Sequence, residues 1–139
     1  MVPQINYLAV VLAMVASMVV GFVYYHPAVM GRRWMALAGH PDGSVQGSSP
    51  MVYPVVALAS FITAWVLAGC ADIAHEFYGG SFLSSALFTA WILWAGFTAA
   101  RILVHDLFDT RPRMLTVVNV LHELLTATAM GLVIGLLAP

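Results

Sequence analysis

The chain has 139 residues, 62% hydrophobic and 8% charged, with a mean hydropathy of +0.94, whereas a soluble domain carries roughly 25% charged residues. That is the composition of an integral membrane protein. There is no lysine, and five arginines against six acidic residues give a net charge of −1, which excludes the basic surface a nucleic-acid partner requires.

Four apolar runs follow one another along the chain, at Ile5–Tyr25, Met51–Ala74, Phe82–Phe108 and Met114–Leu137. At ~1.5 Å rise per residue each is long enough to cross a hydrocarbon core of about 30 Å. Barrel strands are about 10 residues long and alternate polar with apolar, which these runs do not. The expected fold is therefore all-α: one domain over residues 1–139, with four transmembrane helices in an antiparallel bundle embedded in the lipid bilayer. The first run lacks the positive n-region of a secretory signal and is too long for its apolar core, so it reads as a permanent span.

The connections carry their own signals. Residues 28–38 of the first loop mix Arg32 and Arg33 with Val29, Met30, Trp34, Met35 and Leu37, the pattern of a short amphipathic helix lying in the interface. The following "GHPDGSVQGSSP" is rich in Gly, Ser and Pro and reads as a loose loop. The second loop turns on Gly79-Gly80. In the third, "DTRPR", Pro112 suits the first turn of a following helix. Arg32, Arg33, Arg111 and Arg113 fall in the first and third loops, and the second loop and termini hold no arginine. The positive-inside rule puts those two loops in the cytoplasm and both termini outside.

Small residues recur at fourth positions: Ala9, Ala13, Ser17 and Gly21; Ser60, Ala64 and Ala68; Gly96 and Ala100; Ala127, Gly131 and Gly135. Such stripes let helices approach closely. Packing within the bundle is one use; Gly131-x-x-x-Gly135 as the face of a homo-oligomer is the other. Trp65, Trp91 and Trp94 read as packing or interfacial anchors, and Cys70, the one cysteine, as a packing residue.

Polar residues at membrane depth are the candidate site. Arg101 and His105 lie four apart in the third run, with Asp106 and Asp109 beyond; Asn119, His122 and Glu123 share a face of the fourth. If the last two runs fold back about "DTRPR", residues equidistant from the turn meet, which brings Arg101 to the level of Val120, within reach of Glu123 or Asn119. A lone charge in hydrocarbon costs at least about 2.5–3.5 kcal/mol, so an Arg101–Glu123 pair is expected. His105 and Asp106 would then sit in the wet interface, and Arg101→Ala would disrupt more than Arg111→Ala. The cluster is either a satisfied network that fixes helix register or a pocket for an ion, a proton or a small polar ligand.

Asp72, His75 and Glu76 read as a solvated helix end. No His-Glu-x-x-His motif, catalytic nucleophile arrangement, phosphate loop or dinucleotide fingerprint occurs. The sequence accordingly implies no catalytic residue, resident metal or cofactor, and gives an enzyme little support.

Asn6, Gly21 before "YYHP", Gly31 and Trp34, "WAGF" at 94–97, "FDTRP" at 108–112, and Asn119, Gly131 and Gly135 together resemble the bacterial membrane family catalogued as domain of unknown function 1761. The resemblance implies a compact four-span protein of the bacterial inner membrane and no particular activity. Its motif residues gather on the expected cytoplasmic side, where Tyr25, His26, Trp34, Asp109, Arg111 and Asn119 would surround a vestibule. The leading expectation is a homo-oligomeric membrane protein with a polar intrabundle site at Arg101, His105, Asn119, His122 and Glu123. The alternative is a non-catalytic scaffold whose buried polar groups serve assembly, and a membrane-embedded metalloenzyme ranks last.

Overall fold

The computed structural model describes residues 2–40 and 49–139; most of the Gly/Ser/Pro-rich half of the first loop lies outside the described residues. All regular structure among the described residues is helical, and four helices are long and apolar enough to cross a membrane: Tyr7–Tyr24, Val52–Tyr78, Phe82–Phe108 and Arg113–Leu136.

Local chemistry sets the ends of these helices. Asn6 precedes α1 (Tyr7–Tyr24) in extended conformation and accepts hydrogen bonds on Oδ1 from the amides of Leu8 and Ala9, which otherwise have no partner at a helix start. At the other end Pro27 holds His26 extended (ψ 138°), which stops the helix. His26 Nδ1 accepts from the Ala28 amide at 3.2 Å, and one π-helical turn, Pro27–Gly31, leads into the short α2 (Arg32–Leu37). The turn doubles back so tightly that a Cβ on Gly31 would run into the Tyr25 carbonyl oxygen. Only glycine fits there, which accounts physically for the spacing of "YYHP", Gly31 and Trp34.

Helix α3 (Val52–Tyr78) runs a turn beyond the apolar stretch, so His75 and Glu76 lie within it along with Asp72; it ends at Gly79 and Gly80, both at positive φ (70° and 85°). Ser81 caps α4 (Phe82–Leu93), accepting from the Ser84 amide at 3.2 Å. A second π-helical stretch, Trp94–Ala99, joins α4 to α5 (Ala100–Phe108), and Pro112 opens α6 (Arg113–Leu136).

Around the bundle the neighbours run α1, α6, α4, α3 and back to α1, so that α3 and α6 face each other across a diagonal. The core gathers toward the chain termini: Val10 and Ala13, Ala64 to Ala71 of α3, Ala86 and Ala90, and Met130 and Ile134. Its small side chains let the helices close up. Asn6 Nδ2 donates to the Leu137 carbonyl at 3.0 Å and the Gln4 amide to Asp72 Oδ2 at 2.9 Å, closing that end. At the opposite end Tyr24 is buried and donates from its hydroxyl to the Val118 carbonyl at 2.8 Å. There the first half of α3, Val52 to Ala59, is largely exposed, and the diagonal between α3 and α6 stands open.

The glycine stripe of α6 serves contacts within the chain. A Cβ on Gly135 would lie 2.8 Å from Leu83 Cα, and one on Gly131 would lie 3.1 Å from Ala90 Cβ. Both glycines are buried against α4, and the alternative of a homo-oligomer face at Gly131 and Gly135 is corrected accordingly.

The π-helical stretch decides which polar residues face inward. The α4 stripe Leu83, Ala86 and Ala90, continued at helical period, would pass through Phe97, Arg101 and His105. One extra residue per π turn rotates the remainder of the span about its axis, and the inward positions become Thr98, Ile102 and Asp106. Phe97 is 75% exposed, Arg101 and His105 are exposed, and Asp106 is 7% exposed.

Candidate functional site

Glu123 projects from α6 in the open half of the bundle. Its Oε1 lies 3.2 Å from His122 Nδ1, with the His122 side chain 15% and the Glu123 side chain 39% exposed. The His122 ring is clasped by Tyr24 and Tyr25, with centroids at 5.4 and 4.7 Å, and its Nε2 lies 3.5 Å from Thr126 Oγ1. Gly21 leaves room for this ring: even a Cβ there would stand 3.7 Å from Nε2, ordinary contact distance.

Three clefts meet at Glu123. The first, about 590 Å³, opens between α1, α3 and α6 and is lined by Phe22, Tyr25, Tyr53, Val56, His122 and Thr126 among others. A second, about 450 Å³, runs between α3, the third span and α6, past Thr63, Leu93, Trp94 and Thr98. The third, about 480 Å³, is bounded by Tyr25, Arg101, Ile102, His105, Asp106 and Asn119. Arg101 faces this last cleft from an exposed position. Among the described residues it makes no ion pair with Glu123, whose partner is His122; the expected Arg101–Glu123 clasp is not formed, because the π-helical stretch turns Arg101 off the inward face.

Asp106 takes the inward position. Its Oδ2 accepts from Thr116 Oγ1 at 2.8 Å, while His105 Nδ1 and Arg111 Nε stand 3.7 and 4.0 Å from Oδ1. The Arg111 amide also donates to the Asp106 carbonyl at 3.1 Å. This is a clasp across the α5–α6 turn, and it corrects the expectation that Asp106 sits in the wet interface; His105, 70% exposed at its side chain, does face out. Asp106, Thr116 and Tyr24 were not among the expected site residues. The signal for the first two was the same equidistance rule, since both lie close to the turn.

Asn119 Oδ1 accepts from Trp34 Nε1 at 3.1 Å and from the Tyr25 hydroxyl at 3.5 Å, so α2 is fastened to α6. Trp94 and Trp91 donate from their indole nitrogens to the Val120 carbonyl and Thr128 Oγ1, both at 3.1 Å, and so tie the third span to α6. Of the expected vestibule, Tyr25, Trp34 and Asn119 come together, whereas His26 caps its own turn. Asp109 and Arg111 pair with each other in the exposed loop. The Arg111 hydrogen bond, with its charge, holds the Asp109 carboxyl below the usual carboxylate range.

Residues 8–135 match the family described as "Protein of unknown function (DUF1761)". The chain belongs to this family. Membership spans all four long helices and the residues around Glu123, while Asn6, the cap of α1, lies just before the matched region. No curated protein and no solved structure matches the chain.

Proposed function

We propose that the protein is a multi-pass protein of the bacterial inner membrane whose polar intrabundle site, centred on Glu123, binds or passes a proton, an ion or a small solute. One observation carries this reading: the Glu123 carboxylate stands where three clefts meet, on a helix long and apolar enough to cross a membrane. An acid at that depth is costly unless it faces a partner, a cavity or the headgroups, and intramembrane acids of this kind mark ion and substrate paths.

The contacts support an antiparallel bundle. The start of α1 meets the end of α6 at Asn6 and Leu137, and its end meets the start of α6 at Tyr24 and Val118. With Trp34 turned onto Asn119 and Arg32 and Arg33 exposed, α2 suits the interface plane. Arg32, Arg33, Arg111 and Arg113 make that end cytoplasmic and put both termini outside, so the wide half of the bundle faces the cytoplasm. For a homo-oligomer, the remaining small stripe is Gly96 and Ala100; both are exposed, and a Cβ on Gly96 would meet nothing within 4 Å.

The scaffold reading retains support of its own, because Asn119 and Asp106 are both committed to contacts between helices. Glu123 separates the two readings. Dicyclohexylcarbodiimide, which attacks protonated carboxyls in apolar surroundings, should modify Glu123 in native membranes, as read by mass spectrometry of the α6 peptide. If Glu123 is modified only after unfolding, the site reading fails and the scaffold reading stands.

A further inference from the structure

We infer that the cleft between α1, α3 and α6 takes a lipophilic monovalent organic cation, a bulky apolar body bearing one protonated amine or onium centre, with Glu123 as its counter-ion. The inference rests on the Glu123 site proposed above and names the class of ligand that this side of the site fits.

Charge is the first argument. Among the described residues that line the cleft, Glu123 is the one carboxylate and His122 the one basic side chain, and none is an arginine. Arg101, which would oppose a cation, does not line this cleft; it lines the neighbouring one, which meets it at Tyr25 and Glu123. An anionic ligand would therefore meet Glu123 with no fixed positive charge to answer it. A divalent metal fits no better, because no three His, Cys, Asp or Glu side chains converge among the described residues and such ions take about six or more oxygen ligands.

The walls supply the second argument. Apart from Glu123, His122 and a few hydroxyls, they are apolar and aromatic, with Phe22 and Tyr53 near-parallel (10°) at 6.3 Å between ring centroids, bridging α1 and α3. Aromatic faces attract cations through the ring quadrupole, most strongly where water is excluded. A small hydrated ion would gain nothing from such walls, whereas a cation carrying its own apolar surface buries it against them. The third argument is size: about 590 Å³ lies within the roughly 300–1,000 Å³ of small-molecule sites, several times what a bare ion needs.

The test uses the full chain in lipid nanodiscs with two probes of one shape and opposite charge, tetraphenylphosphonium and tetraphenylborate. Equilibrium binding of radiolabelled tetraphenylphosphonium should be saturable. It should weaken about tenfold or more in Glu123→Gln and remain unchanged in Glu76→Gln, which alters an exposed acid at the opposite end of the bundle. Tetraphenylborate should not compete. Val56→Trp, which adds bulk to the cleft from an exposed position on α3 and leaves the Glu123 carboxylate in place, should weaken binding as well and guards against a Glu123 variant that misfolds. Binding that is unsaturable, indifferent to both substitutions or equally displaced by tetraphenylborate overturns the inference. Carbodiimide labelling separates the two levels: Glu123 modified but no cation bound refutes the ligand class alone, whereas Glu123 unmodified refutes the site itself.

Discussion

Gly135→Ala puts a methyl group where the structure leaves no room. The added Cβ would lie 2.8 Å from Leu83 Cα and 2.7 Å from Leu83 Cδ1, against the roughly 3.5–4.0 Å that carbon atoms prefer. Leu83 Cδ1 can rotate away; its Cα cannot. Relief therefore requires α4 to back off from α6 by up to about 1 Å, loosening Ala86 and Ala90 beside it. Overpacking of this kind costs about 1–3 kcal/mol, and the better helix propensity of alanine returns up to about 1 kcal/mol, leaving a net loss centred near ~1 kcal/mol. Gly131→Ala should cost less, since its nearest neighbours are Ala90 Cβ at 3.1 Å and the Ala86 carbonyl at 3.3 Å. Gly21→Ala, with 3.7 Å of clearance, should be neutral or stabilising. Reversible unfolding in mixed micelles, followed by far-UV circular dichroism, measures all three. A Gly135→Ala variant as stable as wild type, or less damaged than Gly131→Ala, would refute the close approach of α4 and α6.

Asp106→Ala strands the Thr116 hydroxyl in a buried position and should cost about 1–3 kcal/mol, whereas Arg101→Ala removes an exposed side chain and should cost less than about 0.5 kcal/mol. The reverse order in the same unfolding assay would restore the Arg101–Glu123 clasp. Asn119→Ala frees Trp34, so hydrogen exchange should accelerate in Arg32–Leu37 while the middle of α6 stays protected; unchanged exchange in α2 would show that it is held by other contacts. The Asp109 carboxyl is depressed by Arg111, so whatever this loop pair contributes is present above the usual carboxylate pKa of about 4 and lost as pH falls through the depressed value. Carbon-13 titration of Asp109 should show the depression in wild type and its disappearance in Arg111→Ala.

The four spans were legible because length and apolarity alone report them, and two of their turns because Gly79-Gly80 and Pro112 act through local stereochemistry; the Asn6 cap and the stop at Pro27 emerged only with the backbone geometry. What escaped was rotation. A span that is apolar on every face gives little periodic contrast between the side that meets lipid and the side that meets protein. Nothing in the spacing of Arg101 and His105 therefore disclosed that Trp94–Ala99 winds as a π-helix and passes the inward position to Ile102 and Asp106. The equidistance rule holds for Ala90 with Gly131 and for Asp106 with Thr116; applied to Arg101 it gave the level without the facing. Glu123 was legible as an anomaly, but the clefts around it depend on how α3 diverges from α6, which no local pattern encodes.

Glu123 standing in an open site is the central claim, and its accessibility is the most direct test. With Glu123→Cys introduced into a Cys70→Ala background, inside-out membrane vesicles would be exposed to a small, charged, membrane-impermeant methanethiosulfonate. The account predicts rapid modification in these vesicles and slow modification in right-side-out ones. A thiol at this position that reacts from neither side until the protein is unfolded would contradict it.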